Sequence, residues 1–188
     1  MLKTLLVIAC LSTTMFSQNI ESGHNNTNPN RLKGDFPFNE TIHIVQQAAV
    51  NGACGSSLSG PVTSSIITDT GIWSFDGKGH VKMHDSGIFI LVNPPTDASQ
   101  VQPEAAQCAG TYKLLDDTTV DFHYNCSTDN WTSYFVVHTT GKITPHNILV
   151  EAWDNPDGSL PVQPYVYGNT IVGCSYIGEN TTISRNDN

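Results

Sequence analysis

From Pro61 onward the chain is a succession of short segments in which apolar and polar residues alternate: VTSSIITDTGIWSF, HVKMHDSGIFILV, GTYKLL, TVDFHYN, WTSYFVVHTT, NILVEAW and YVYGNTIVGCSYI. Turn-forming residues close off each one. Alternation with period two puts every second side chain on one face of a strand. Seven or eight such strands joined mostly by short turns predict an all-β fold, an antiparallel meander. A meander of that size exposes two edges unless it curls shut, so a small closed barrel is expected. Ahead of it, NETIHIVQQAAVNG (39–52) sets Ile42, Val45 and Ala49 on a helical face, with Asn39 as a candidate cap. The β-branched cluster Thr41-Ile42-His43-Ile44-Val45 favours a strand instead. The long interruption NPPTDASQVQPEAAQ (93–107) carries three prolines and has room for a short helix.

Two stretches fix hairpin registers. In GIWSFDGKGHVKMH (71–84), Asp76-Gly77-Lys78-Gly79 suits a type I turn followed by Gly79 in the left-handed region. That register opposes Ser74 to Lys82 and Ile72 to His84. It gathers Trp73, Phe75, Val81 and Met83 on the core face and leaves His80, Lys82 and His84 on the solvent face. The two histidines are four apart, a zinc spacing on a helix. On a strand they stand roughly 13 Å apart with a cation between them, so they do not form a zinc site. In CAGTYKLLDDTTVDFHYNC a three-residue turn centred on Asp117 opposes Lys113 to Asp121, Tyr112 to Phe122 and Cys108 to Cys126. Opposed cysteines in a ladder lie within disulfide reach.

The cysteine count depends on where the mature chain begins. Lys3 leads into the apolar run Leu5–Leu11, then Ser12-Thr13-Thr14 and Met15-Phe16-Ser17. This is the pattern of a secretory signal peptide, too short to span a membrane, with cleavage expected near Ser17. Val7-Ile8-Ala9-Cys10 has the form of a lipoprotein box, but too few apolar residues precede it. Cleavage removes Cys10 and leaves Cys54, Cys108, Cys126 and Cys174, an even number in an oxidising compartment. Gaps of 54, 18 and 48 residues lack the close pairs of a four-cysteine zinc site. With Cys108–Cys126 paired, Cys54–Cys174 is left as the second disulfide. The signal also takes Lys3, leaving seven basic against 17 acidic residues. So acidic a chain offers no basic patch for nucleic acid or an anionic membrane.

The expected organisation is therefore a signal peptide (1–17), a polar disordered leader (18–38), a single barrel domain (39–180) and a flexible tail (181–188). A secreted monomer is expected, extracellular or periplasmic, without membrane insertion or nucleic-acid partner.

Gly71-x-Trp73-x-Phe75-Asp76-Gly77-x-Gly79, followed by Gly110-Thr111-Tyr112, resembles small exported bacterial β-barrel proteins, and more loosely the lipocalin and avidin type of barrel. The resemblance spans at most residues 54–176. It implies a barrel with a mouth, a scaffold that often holds one small ligand. No set of ligand-stacking tryptophans matches the avidin pattern, so no ligand residue is carried over.

Candidate chemistry is sparse. NILVEAWD sets Leu149, Glu151 and Trp153 on one face, and a carboxyl beside an indole in an apolar lumen would ionise late. His138, on the preceding strand, is its candidate partner in acid–base catalysis. Trp73, Phe75, Tyr134, Glu151 and Trp153 are the candidate pocket residues. Neither a metal nor a cofactor is expected. DNPDGS (154–159) lacks the acidic spacing of a calcium loop, and no nucleophile elbow, zinc-protease motif or phosphate loop occurs. Three functions are compatible: a binding protein holding a small ligand in its lumen or a partner at its loops; an inhibitor or effector acting on a host or competitor protein through the 93–107 loop; and an acid–base enzyme using Glu151.

Overall fold

The computed structural model describes residues 27–58, 61–93, 101–151 and 162–185. Its described residues form one all-β unit of ten antiparallel strands: β1 (Lys33–Ala48), β2 (Thr63–Asp76), β3 (His80–Asn93), β4 (Val101–Glu104), β5 (Gln107–Leu114), β6 (Thr119–Ser127), β7 (Ser133–Ile143), β8 (Asn147–Glu151), β9 (Val162–Tyr167) and β10 (Thr170–Ser184). Each strand pairs with its sequence neighbour along most of the sheet, and β1 pairs with β10, which closes the barrel.

The ten strands fill eight positions around the wall. Strands β4 and β5 lie end to end along β3, opposite Gly87–Ile90 and His80–His84 respectively. Strands β8 and β9 likewise share the position between β7 and β10, β8 at one end and β9 at the other. Among the described residues the circuit closes through β1 and β10, while β4 pairs with β3 alone.

Both predicted hairpins have the predicted registers. Ile72 faces His84 and Ser74 faces Lys82; Lys113 faces Asp121, Tyr112 faces Phe122 and Cys108 faces Cys126. Asp76 secures the first turn by accepting the backbone N–H groups of Lys78 (2.6 Å) and His80 (2.9 Å). Both disulfides, Cys54–Cys174 and Cys108–Cys126, are present.

Three boundaries differ from expectation. The barrel starts at Lys33, so the last part of the expected leader belongs to the fold: Leu32, Phe36 and Phe38 are all buried. A leader of low average hydrophobicity hid these few residues, two of which alternate in phase with the strand that follows. The expected tail loses its first four residues to β10, which runs to Ser184 and buries Ile183. Within the 93–107 interruption residues 101–104 form strand β4; residues 94–100, where a short helix has room, lie outside the described residues, as do the expected signal peptide and the start of the leader.

The interior is divided along its length. At the end carrying the 76–80 and 115–118 turns, a short 3-10 helix, Pro29–Arg31, sits across the barrel mouth. The Tyr112 hydroxyl shares its single hydrogen between the carbonyls of Pro29 (2.9 Å) and Leu32 (2.8 Å), and Arg31 pairs with Asp117 at 3.0 Å. Behind this plug Trp73 packs against Phe38, Phe75, Phe122 and Tyr124, with ring centroids 5.3–6.3 Å apart. That half is solid. The other half encloses a cavity.

Candidate functional site

The inward positions of four consecutive wall strands change character at one level of the barrel. On β2 the inward series runs Phe75, Trp73, Gly71, Asp69, Ile67, Ser65, and on β1 it runs Phe36, Phe38, Glu40, Ile42, Ile44. Strand β3 contributes Asp85 after Val81 and Met83, and β10 contributes Glu179 between Ile177 and Thr181. Glu40 and Asp69 are directly opposed across β1 and β2. The result is a tier of carboxylates stacked on the aromatic core. Glu40 and Asp69 are each 4% exposed and Glu179 1%; Glu104 of β4 joins from the side.

Close strand approach makes this tier possible. A side chain at Gly87 would place its Cβ 2.1 Å from the Thr68 carbonyl and 2.5 Å from the Cβ of Asp69. At Gly71 it would meet the backbone of His84 and Asp85 at 2.0 and 2.8 Å. Only glycine permits β2 and β3 to coil this tightly here, and the coiling turns Asp69 and Asp85 inward together.

Above the tier lies a cavity of about 90 Å³. Its walls are mostly apolar, including Ile42, Ile44, Ile67, Phe135, Val137 and Ile177, and the Cys108–Cys126 disulfide forms part of the lining. Glu40, Asp69, Asp85, Glu104 and Glu179 also line it, and among the described residues no basic side chain does. Five acids therefore face one small space with no counter-charge among the described residues.

The hydrogen bonds within the tier are incomplete. Tyr124 donates to Glu179 Oε2 at 3.1 Å. Thr181 Oγ1 touches both Glu40 Oε1 and Glu179 Oε1, the latter at 2.8 Å. A hydroxyl has one hydrogen, so one of these two contacts requires a proton on a carboxyl. Glu40 is the group that keeps it: burial, then the charges of Glu179 and Asp69, raise its pKa well above the ordinary range. Burial also raises Glu179. Burial and the charge of Asp85 push Asp69 up to about 7, and burial with Asp85 and Asp69 does the same to Glu104. Asp85 too is raised by burial, although the Ala106 backbone N–H donates to it. Glu40 Oε2, Asp69 Oδ1 and Glu104 Oε2 are buried without a hydrogen-bond partner. Such atoms carry a desolvation cost that a donor or a cation entering the cavity would remove.

Most residues singled out from the sequence lie elsewhere. Trp73 and Phe75 are 1% and 4% exposed, inside the solid half, and do not line the cavity. They face inward as expected, but side chains fill the space around them. Tyr134 stands out of phase with Ser133, Phe135 and Val137, which do line it. His138 is not in the lumen: its ring is about half exposed, accepts no lumenal partner and contacts Asp121 at 2.8 Å. The inner face of β8 is taken by Ile148 and Val150, both fully buried, so the strand has the opposite phase to the one expected. The backbone of Glu151 pairs with Asn180; its side chain and all of Trp153 lie outside the described residues.

The acids of the tier were missed although a signal for them existed. Asp69 follows the same alternation as Trp73 and Phe75, and Asp85 the same as Val81 and Met83. Extending the core face four residues along β2 and two along β3 reaches both. Glu40 keeps the alternation of Ile42 and Ile44 in the 39–52 segment, and Glu179 lies two residues past Ile177, just beyond the last segment read as strand. Against family models, curated proteins and solved structures, the chain has no match.

Proposed function

We propose that the protein is an exported carrier that holds a small organic amine in the barrel cavity, its ammonium group on the carboxylate tier and its carbon skeleton against the apolar walls. The observation behind this reading is the set of five carboxylates facing one cavity without a basic residue among the described residues, three of them with a buried oxygen lacking any partner there. An ammonium group supplies three N–H donors and a charge, the two things this site lacks. Calcium suits the carboxylates less well, since it takes six to eight oxygen ligands and the surrounding walls are hydrocarbon. The volume favours a compact ligand of roughly four or five non-hydrogen atoms, because an apolar cavity that holds the six of benzene is nearer 150 Å³. The disulfides, and the absence among the described residues of a helix long and apolar enough to cross a membrane, are compatible with export.

Isothermal titration calorimetry with linear and branched propyl and butyl amines, each beside the alcohol of the same skeleton, tests the reading. Amines should bind at pH 8 and more weakly at pH 5.5, where the tier holds its protons. Alcohols should not bind, and Glu179→Gln or Asp69→Asn should abolish the amine signal. Equal binding of alcohols, or amine binding indifferent to both substitutions, would overturn it.

A further inference from the structure

On the outside of the barrel, away from the cavity, β6 and β7 bring two histidines and an aspartate together. His123 and His138 are directly opposed across the two strands, and Asp121 lies two residues before His123 on the same face. The imidazole rings stack, with centroids 3.6 Å apart and planes 24° from parallel. His138 Nε2 lies 2.8 Å from Asp121 Oδ1, and His123 Nε2 lies 3.3 Å from Oδ2. One ligand atom from each of the three residues lies within 4.8 Å of the other two. The side chains are 57%, 54% and 20% exposed for His123, His138 and Asp121, so a solvated ion has direct access.

We infer that Asp121, His123 and His138 form a surface site for a divalent transition ion of the zinc, nickel and copper group. Imidazole nitrogen with one carboxylate is the ligand set such ions prefer. Around zinc, bonds of about 2.0–2.1 Å put neighbouring ligand atoms about 3.3 Å apart. The Nε2 and carboxylate atoms already stand at 2.8 and 3.3 Å, so small side-chain rotations suffice. The ladder pairing fixes the two rings opposite each other, which is the preorganisation that His80 and His84, four apart on a single strand, lack. Without an ion, each Nε2 that donates to the carboxylate carries the ring hydrogen. Coordination shifts that hydrogen to Nδ1 and leaves Nε2 free to bind. Three protein ligands leave the remaining coordination positions open. Lys113 faces Asp121 from β5 and opposes the ion's charge, so it sets an upper limit on affinity without occupying a ligand position.

Titrating zinc chloride into the full secreted chain by calorimetry, in a buffer that does not chelate, should give one site per chain. His123→Gln and His138→Gln should each weaken binding at least about tenfold, and Lys113→Gln should tighten it. Copper(II) added in place of zinc should show nitrogen hyperfine structure in its electron paramagnetic resonance spectrum, lost in the double variant His123→Gln/His138→Gln. The exposed positions make misfolding of these variants easy to exclude by their thermal unfolding. Zinc binding that survives both histidine substitutions, or that is lost instead in Asp69→Asn, would place the ion elsewhere and overturn the inference; so would an absence of binding heat together with a copper spectrum free of nitrogen coupling.

Discussion

Replacing Asp69 by asparagine should make the ligand-free barrel more stable at pH 8, an unusual outcome for a buried polar substitution. Asp69 ionises near 3.8 in the unfolded chain and near 7 in the folded one, because burial and the neighbouring Asp85 penalise its charge. Between those pH values the folded state holds a proton that the unfolded state has released. Stability from this group is therefore complete below about pH 4, declines as the pH rises, and is fully lost above about 7. At about 1.4 kcal/mol per pH unit, the cost reaches on the order of 2–4 kcal/mol, the lower figure for a cavity that admits water. Asparagine keeps the shape and removes the charge. The exposed carboxylates Asp76, Asp116 and Asp129 shift the other way, held low by the backbone and side-chain donors around them. They act below about pH 4 and leave the window from 5 to 8 to the interior acids. Urea unfolding at pH 5 and pH 8 gives the test. The wild type should lose stability between the two, with Glu40, Glu104 and Glu179 adding to the decline. Asp69→Asn should lose less and exceed the wild type at pH 8. An equal pH dependence, with the variant no more stable than wild type at pH 8, would refute the claim that Asp69 is forced to ionise in an apolar site.

Gly87→Ala should cost about 1–3 kcal/mol, since the new methyl meets the Thr68 carbonyl and the Asp69 side chain at under 3 Å; chemical denaturation measures it, and a neutral effect would mean the β2–β3 crossing is looser than described. Trp73→Ala empties the centre of the aromatic core and should cost about 3–5 kcal/mol in the same assay, whereas Trp73→Phe should recover much of it. Opening the Cys54–Cys174 bridge, which spans 120 residues, should cost about 4–5 kcal/mol, against about 3 for Cys108–Cys126, which spans 18; paired serine variants compared by thermal unfolding would show that order. Tyr112→Phe should cost about 1 kcal/mol by freeing the carbonyls of Pro29 and Leu32, and hydrogen exchange should rise at the plug before it rises in the strands.

Local order was legible in the sequence because it depends on local rules. Period-two alternation marked the strands, and turn chemistry at Asp76–Gly79 and around Asp117 set two registers to the residue. The second of those registers brought Cys108 opposite Cys126, and elimination then gave Cys54–Cys174. What alternation reports is which residues share a face of one strand. It does not say which level of a closed barrel they reach, nor whether side chains from other strands fill that level. Trp73 and Asp69 share a face, yet one lies in a packed core and the other beside a cavity, because the N-terminal plug and the rings of Phe38, Phe122 and Tyr124 close one half only. Phase over a short strand is as weak a guide: Glu151 was set on a lumenal face, but Ile148 and Val150 hold the inner side of β8. His138 was sought in the lumen and meets His123 and Asp121 on the outside, a contact fixed by the β6–β7 register that the 128–132 turn left undetermined. The carboxylate tier draws one acid each from β1, β2, β3, β4 and β10, which only barrel closure brings around one space. Tertiary structure decided the site because desolvation and charge repulsion arise between residues far apart in the chain, at a distance no local pattern encodes.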